Sequence, residues 1–386
     1  MNSNKLTANL GLAKNIDIDL KDNSDGKTTI FTLSDTIFDS FCSFILPNIE
    51  RNLGSYIIFD KNNELYNLYK NKISGYKIKH FALSNTFNIF DSITNENNIQ
   101  NFVDVTLRNH TEIQRYLYEG HNEADLLYTY TDLILNLILI YLSKKTASKN
   151  RNFTYIHKIL KKLQQNDLAY FIKIFGKIDS SYKISKSLFH LKYMNNEEYK
   201  HSLDIITTVL STTLDTECEK TSIINELTAL YENQILTIVF IELTANPVID
   251  SYFCTYVEHN FNKGNTLSTI FYVYNTLESV FISNFDKLLE QSNKKNKIHI
   301  LNFSNIAAII KLYGKEIRTI MNTISYGIIF QSNNSKNIKY IQKLLSSNYI
   351  SDMTNQIRND SSCCIVYKKP NTISIEQKIT KSKKRP

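Results

Sequence analysis

Ser55-Tyr56-Ile57-Ile58-Phe59 is apolar without alternation and ends in Asp60. A strand with one face in water alternates apolar and polar residues. A strand without that alternation is buried on both faces, as in a parallel sheet covered by helices. This requirement constrains the fold more than any other feature of the chain. Thr28–Leu33, Lys77–Leu83, Ser268–Tyr274, Lys297–Leu301 and Ser325–Phe330 also read as strands. Helical periods separate them. Phe38, Phe41, Ile45 and Ile49 form one stripe over Phe38–Arg51. Glu64–Ile73 reads as a short helix, which Gly75 ends at a position that tolerates left-handed geometry. Alternation of strand and helix predicts an α/β fold with a doubly wound parallel sheet.

From residue 106 the texture changes. Asp125–Lys144, Tyr155–Gln164, Glu197–Thr213 and Lys220–Thr244 carry apolar residues at helical spacing. After residue 260 the α/β texture returns. Leu277, Val280, Phe281, Phe285, Leu288 and Leu289 stripe one helix, and Ile338, Ile341, Leu344 and Leu345 stripe another, with Asn334 or Ser335 as its N-cap. The predicted division is a polar N-terminal segment over 1–27 and the first half of an α/β core over 28–105. An all-helical insertion domain follows over 106–260, then the second half of the core over 261–368 and a basic tail over 369–386. The apolar run Leu133–Leu142, broken by Asn136, is too short to cross a bilayer, which takes about 20 residues. It reads as a buried core helix. Residues 1–25 contain no signal-peptide core.

Only 9 of the 386 residues are Gly, which leaves few places for a glycine-dependent phosphate loop. The net charge of +8 suits an acidic partner such as nucleic acid or an anionic membrane. It reads as spread along the chain, and its densest run, Lys378–Pro386, reads as a solvated terminus. The 5 cysteines show no metal spacing. Cys363-Cys364 begin an apolar strand, and the odd count fits a reducing compartment. The 8 His residues form no metal-binding motif, and no serine elbow occurs. Glu197-Glu198 reads as a solvated helix position, and Tyr and Phe at helical spacing read as core.

Three phrases resemble a known family in wording and order. They are Ser43-Phe44-Ile45-Leu46-Pro47-Asn48, Asp60-Lys61-Asn62-Asn63-Glu64-Leu65-Tyr66 and Gly75-Tyr76-Lys77-Ile78. They are similar to the TraG/TraD class of type IV secretion coupling proteins, the hexameric ATPases of conjugative DNA transfer. In that family an Ile-Pro-Asn phrase ends the helix after the phosphate loop. A strand ending Asp-Pro-Lys-Gly-Glu-Leu-Tyr follows, and then Gly-Tyr-Lys-Val. Asp125–Lys144 resembles the helix that opens the family's helical domain. Lys297–Ala307 resembles its Walker B phrase, and Tyr313-Gly314 its closing Tyr-Gly. The resemblance covers roughly 28–365, and its colinear order carries most of the weight. It implies a RecA-like P-loop NTPase-type sheet interrupted by an all-helical insertion.

The same resemblance implies that the catalytic groups are gone. Phosphoryl transfer needs backbone amides around the phosphates, a Lys on their oxygens and a hydroxyl on Mg²⁺. The family's phosphate loop falls here on Ser34-Asp35-Thr36-Ile37-Phe38-Asp39-Ser40-Phe41. Ser40 stands for the Lys and Phe41 for the Mg²⁺-binding hydroxyl residue. Asp35 and Asp39 bring negative charge to a triphosphate site, where a screened like-charge pair at about 4 Å is repelled by about 1 kcal/mol. Gly26-Lys27-Thr28 spells the end of a phosphate loop but precedes the first strand, whereas such a loop must follow it. The Walker B Asp and Glu fall on Leu301 and Asn302, while Phe303, Asn305 and Ile306 persist. Asp60 and Glu64 match family positions, with Lys61-Asn62-Asn63 in place of its Pro-Lys-Gly turn. Asp60 reads as a helix cap.

The candidate site is therefore a degenerate nucleotide slot of Ser34, Asp35, Thr36, Asp39, Ser40, Phe41, Asp60 and Asn302. No cofactor and no metal are expected. The expected function is that of a catalytically inactive coupling-protein-like subunit, a receptor or adaptor in DNA or protein transfer. Its expected partners are secretion or conjugation proteins, a relaxosome component, single-stranded DNA on its basic surface, and copies of itself or related subunits. Its expected location is the cytoplasm, with placement at the inner face of the membrane through those partners. Two alternatives stay open. One is an active, divergent coupling ATPase that binds Mg-ATP. The other is a repurposed helical scaffold with no DNA role.

Overall fold

The computed structural model describes residues 9–13, 16–19, 29–51, 54–119, 122–147, 150–178, 182–213, 222–232, 235–261, 269–292, 297–330, 334, 337, 339–340, 363–368 and 372–377. Strands β1 (Asn9–Ala13) and β2 (Ile16–Asp19) pair antiparallel as a separate ribbon. The remaining strands are β3 (Thr29–Leu33), β4 (Ser55–Asp60), β5 (Lys77–Ala82), β6 (Thr237–Glu242), β7 (Ile270–Tyr274), β8 (Lys297–Phe303), β9 (Ile324–Ile329), β10 (Cys363–Lys368) and β11 (Thr372–Gln377). They form a 9-stranded sheet in the order β11-β10-β9-β3-β8-β7-β4-β6-β5. The strands from β9 through β5 are all parallel. At the β9 end, β10 and β11 extend the sheet antiparallel.

Burial follows the sequence pattern. β3, β4, β7, β8 and β9 are buried along their whole length. β5, with its alternating Lys-Ile-Lys-His, is the half-exposed edge. Side chains still alternate between the faces. On one face Tyr56, Ile58, Phe240 and Ile30 pack with Phe41, Phe44 and Leu65 from the helices after β3 and β4. On the other face Ile57, Phe59, Phe31 and Leu301 join a larger core that runs on into the helical region.

The helix after β3 runs through Ile37–Ser40, a π-turn at Phe41–Ile45, and Leu46–Ile49. Pro47 explains the π-turn. Proline has no N–H to donate and its ring crowds the carbonyl one turn back. The widened turn, in which the Leu46 N–H reaches Phe41 O, lets the helix continue past it.

Helix Asn122–Lys145 is the axis of the helical region and packs against helices Glu96–Arg108 and Asn196–Leu210. Over Leu126–Lys145, rather than over its longest unbroken apolar run, it is long and apolar enough to cross a bilayer. Here Ile134, Leu135, Ile138 and Leu142 are buried among neighbouring helices, which accounts for that apolarity.

Several expectations are corrected. Helices already follow β5 at Leu83–Thr86, Ile89–Ser92 and Glu96–Arg108, before residue 106. Lys220–Thr244 is not one helix. It holds helix Ser222–Glu232 and then β6, which lies between β4 and β5. A continuous apolar run such as Thr-Ile-Val-Phe-Ile satisfies helix and strand periods alike, and here the sheet claims it. The stripe from Leu277 belongs to a helix only from Phe285 (Phe285–Ser292); Leu277 and Val280 are buried in turns before it. Within the expected polar N-terminal segment lies the β1–β2 ribbon. Within the expected tail over 369–386, Thr372–Gln377 is a strand. The Gly26-Lys27-Thr28 triplet and most of the Ile338–Leu345 helix lie outside the described residues.

Candidate functional site

In a doubly wound sheet, ligands sit beyond the carboxyl ends of the strands where the strand order reverses. Here that point lies at the ends of β3 and β8, because the chain returns on one side of β3 as β8 and on the other as β9. Leu33 and Phe303 are in register there, and the Ser34 N–H donates to Phe303 O at 3.1 Å.

Asn302 is the hub. Its Oδ1 accepts from Thr32 Oγ1 at 3.0 Å and from Ser40 Oγ at 2.6 Å. Its Nδ2 donates to Asn275 Oδ1 at 2.9 Å and to Ile37 O at 3.4 Å. Asn275 Nδ2 in turn donates to Phe59 O at 3.3 Å. Thr32, Ser40, Asn275 and Asn302 are all buried. One amide side chain thus joins β3, the start of the following helix, β8 and β7, while Asn275 ties β7 to β4.

Only Ser34, Asp35 and Thr36 separate β3 from that helix. Thr36 is its N-cap. Its Oγ1 accepts from the Asp39 N–H at 3.2 Å and donates to Asp39 Oδ2 at 2.9 Å. Asp39, in the first turn, already supplies the negative charge that a helix start attracts. Asp35, Thr36 and Asp39 are exposed, whereas Ser34 is buried and donates its hydroxyl to Thr36 O.

The fold gathers five of the candidate residues, Ser34, Thr36, Asp39, Ser40 and Asn302, with Asp35 at their rim. It separates the other two. Phe41 packs into the apolar core on the same side of the sheet, 5.0 Å from the Tyr69 ring. Asp60 ends β4, with β8 and β7 between it and β3. The Asp60 carboxylate accepts from the Leu65 N–H at 3.3 Å and the Tyr66 N–H at 2.9 Å. Burial pushes its carboxyl up to about 6, while those two amides pull the other way. It caps helix Glu64–Tyr69. Asn62 and Asn63, in left-handed geometry at φ 62° and 59°, make the turn between. Leu301 is buried in the core on the helical side.

Sequence reasoning missed Asn275, Thr32 and Glu278. A signal existed: two apolar runs, Phe-Tyr-Val-Tyr and His-Ile-Leu, are each followed directly by Asn, at Asn275 and Asn302. Glu278 holds the turn after β8. Its Oε1 accepts from the Ser304 hydroxyl at 2.8 Å and from the Ser304 and Asn305 amides.

The donor set does not suit a magnesium-bound triphosphate. Every side chain tied to Asn302 is uncharged, and none can replace the phosphate-binding Lys or hold a metal. The link Ser34-Asp35-Thr36 is short and holds no Gly, and the helix start after it is capped by Thr36. Among the described residues no group of three His, Cys, Asp or Glu could hold a metal ion.

No protein-family model matches the chain, and no curated protein sequence matches it. Solved structures do. The fold is similar to the plasmid coupling protein TrwB in complex with a non-hydrolysable ATP analogue, with TM-score 0.60 and 12% identity over 94% of this chain and 88% of that one. It is similar to the bacterial conjugative coupling protein TrwBdeltaN70 in a sulphate complex, with TM-score 0.58 and 12% identity over 96% and 89%. It is also similar to VirB4 of Thermoanaerobacter pseudethanolicus, with TM-score 0.52 and 10% identity over 97% and 96%. At such identities the likeness is one of fold, and it is the RecA-like α/β fold that the sequence resemblance implied.

Proposed function

We infer that this chain is a catalytically inactive, coupling-protein-like subunit of a type IV secretion or conjugative transfer system. It receives substrate through its helical region and assembles through its α/β core with secretion or conjugation proteins or with other copies. The observation that carries this reading is the Asn302 bridge. A motor-type sheet has its switch point closed by hydrogen bonds between uncharged side chains, and among them is Ser40, the residue that the sequence resemblance sets at the phosphate-binding Lys. The likeness to TrwB and VirB4 supports the transfer setting. The free thiols Cys42 and Cys254 fit a cytoplasmic, reducing location. No nucleotide and no metal are part of the proposal.

Isothermal titration of the purified chain with Mg-ATP, followed by a turnover assay, tests inactivity. The expected result is no saturable heat and no phosphate release. Magnesium-dependent binding with turnover that Ser40→Ala abolishes makes the chain an enzyme and ends the reading. The transfer setting has its own test. Cross-linking of the tagged chain in its own cells recovers a coupling or channel ATPase, and recovery of none removes that setting.

A further inference from the structure

The basic residues are unevenly placed along the chain. Between Tyr141 and Ile178 there are nine Lys and Arg against one acid, Asp167, a surplus of eight. The whole chain, with 45 Lys and Arg against 37 Asp and Glu, has the same +8. The rest of the chain therefore balances to zero in sum, its basic tail Lys378–Pro386 being offset by acidic residues elsewhere.

The fold gives that stretch a shape. The end of helix Asn122–Lys145 meets helix Leu168–Phe175 around a cavity of about 370 Å³. Tyr141 and Tyr170 line it together with Ile174 and the buried Ile178. Lys145, Lys173 and Lys177 also line it, and all three are exposed. Exposed Lys162 sets its ammonium over the Tyr170 ring, 5.9 Å from the centroid. Tyr141 is held by an edge contact with buried Phe175 at 5.6 Å. All of these residues belong to the helical region, and none comes from a strand end.

We propose that this pocket docks an acidic protein segment that carries one large apolar or aromatic anchor residue. Apolar Ile174 and Ile178 and the two tyrosines suit the anchor, because a desolvated side chain in a packed pocket supplies most of the binding energy of such an interface. The lysine ring suits flanking carboxylates, which set orientation and the rate of encounter. The arrangement fits a nucleic-acid strand less well. Successive bases need open aromatic faces along a basic groove. Here one ring is committed to Phe175 and the other carries Lys162, and the lysines surround a pocket instead of following a track. The proposal deepens the receptor reading and rests on it for its setting only.

The probe is a fluorescent Glu-rich peptide with a single central Trp, titrated into the full chain by anisotropy across a salt series. Control probes are the same peptide with Lys for Glu, and oligo-dT. The acidic peptide is expected to bind and to weaken with salt, and the basic peptide not to bind. The double variant Lys173→Glu/Lys177→Glu is expected to lose about tenfold in affinity. Ile174→Ser is expected to weaken binding with the salt slope unchanged. Because Lys173 and Lys177 are exposed, circular dichroism of the double variant should match wild type. No binding of the acidic peptide overturns the proposal, as does equal affinity in wild type and double variant. Oligo-dT binding more tightly than the peptide and failing in the same variant overturns it in favour of nucleic acid. Cross-linking to the ATPase, tested separately, is unaffected by any of these outcomes.

Discussion

At the scale of residues, the slot is governed by satisfaction of buried polar groups. Asn302 has two donors and two acceptor positions, and all four are used. Removing it strands the hydroxyl of Thr32 and the amide oxygen of Asn275, whose partner it is. Asn302→Ala should therefore cost about 1–3 kcal/mol, well beyond the net value of one hydrogen bond. Urea denaturation measures it, and a loss below half a unit of that range would mean water substitutes freely for the side chain. A polar strand end can be read from Ile-Leu-Asn in the sequence. That Asn302 faces Ser40, 262 positions earlier, cannot, because nothing local couples them.

At the scale of elements, β3 and β9 show how tightly the centre of the sheet is packed. Phe31 and Gly327 are in register, and a Cβ on Gly327 would lie 2.0 Å from Phe31 Cε1. Gly327→Ala should cost about 1–3 kcal/mol by overpacking. Phe31→Leu clears the space, so the double variant should lose less than the sum of the single losses; strict additivity in thermal denaturation would refute the contact. The strand of Gly327 was legible from its apolar run, and so were β4, β7 and β8. β6 was not. Its residues, Thr-Ile-Val-Phe-Ile-Glu, follow a helical segment and read as its continuation. What turns them into a strand is the vacancy between β4 and β5, a feature of the sheet and not of the segment.

At the scale of the molecule, helix Pro247–Phe261 connects β6 to β7 and packs against helix Glu96–Arg108, and its junction with the sheet is buried and titratable. Glu258 on that helix accepts from Tyr274 OH and lies 3.6 Å from His299 Nδ1. Burial raises Glu258 to about 7, against the pull of the Tyr274 hydrogen bond and Lys297. Burial lowers His299 to about 3, helped by Lys297, so the imidazole is neutral and the contact is not a salt bridge. A carboxyl whose pKa rises on folding costs stability wherever it is ionised. Glu258 therefore adds stability as pH falls from about 7 towards 4.5. His299 does the reverse, losing stability as pH falls from 6.5 towards about 3. The two oppose each other in mild acid. Glu258→Gln should be more stable than wild type by about 2 kcal/mol at about pH 8, with the advantage gone near the ordinary pKa of Glu. Urea denaturation across pH checks this, and an advantage independent of pH would rule out the titration.

The sequence alone determined which segments must be buried on both faces, and so a parallel sheet with helices on each side. It also determined that the slot after β3 lacks glycines and a cation, because those properties belong to residue types. The tertiary structure alone decided which strand lies beside which. It thereby decided that Asn302, Ser40, Thr32 and Asn275 close on one another, and that Asp60, read from the sequence as a helix cap, stands apart from them. Side-chain type is local information, whereas the partner of a buried polar atom is set by chain segments hundreds of residues apart.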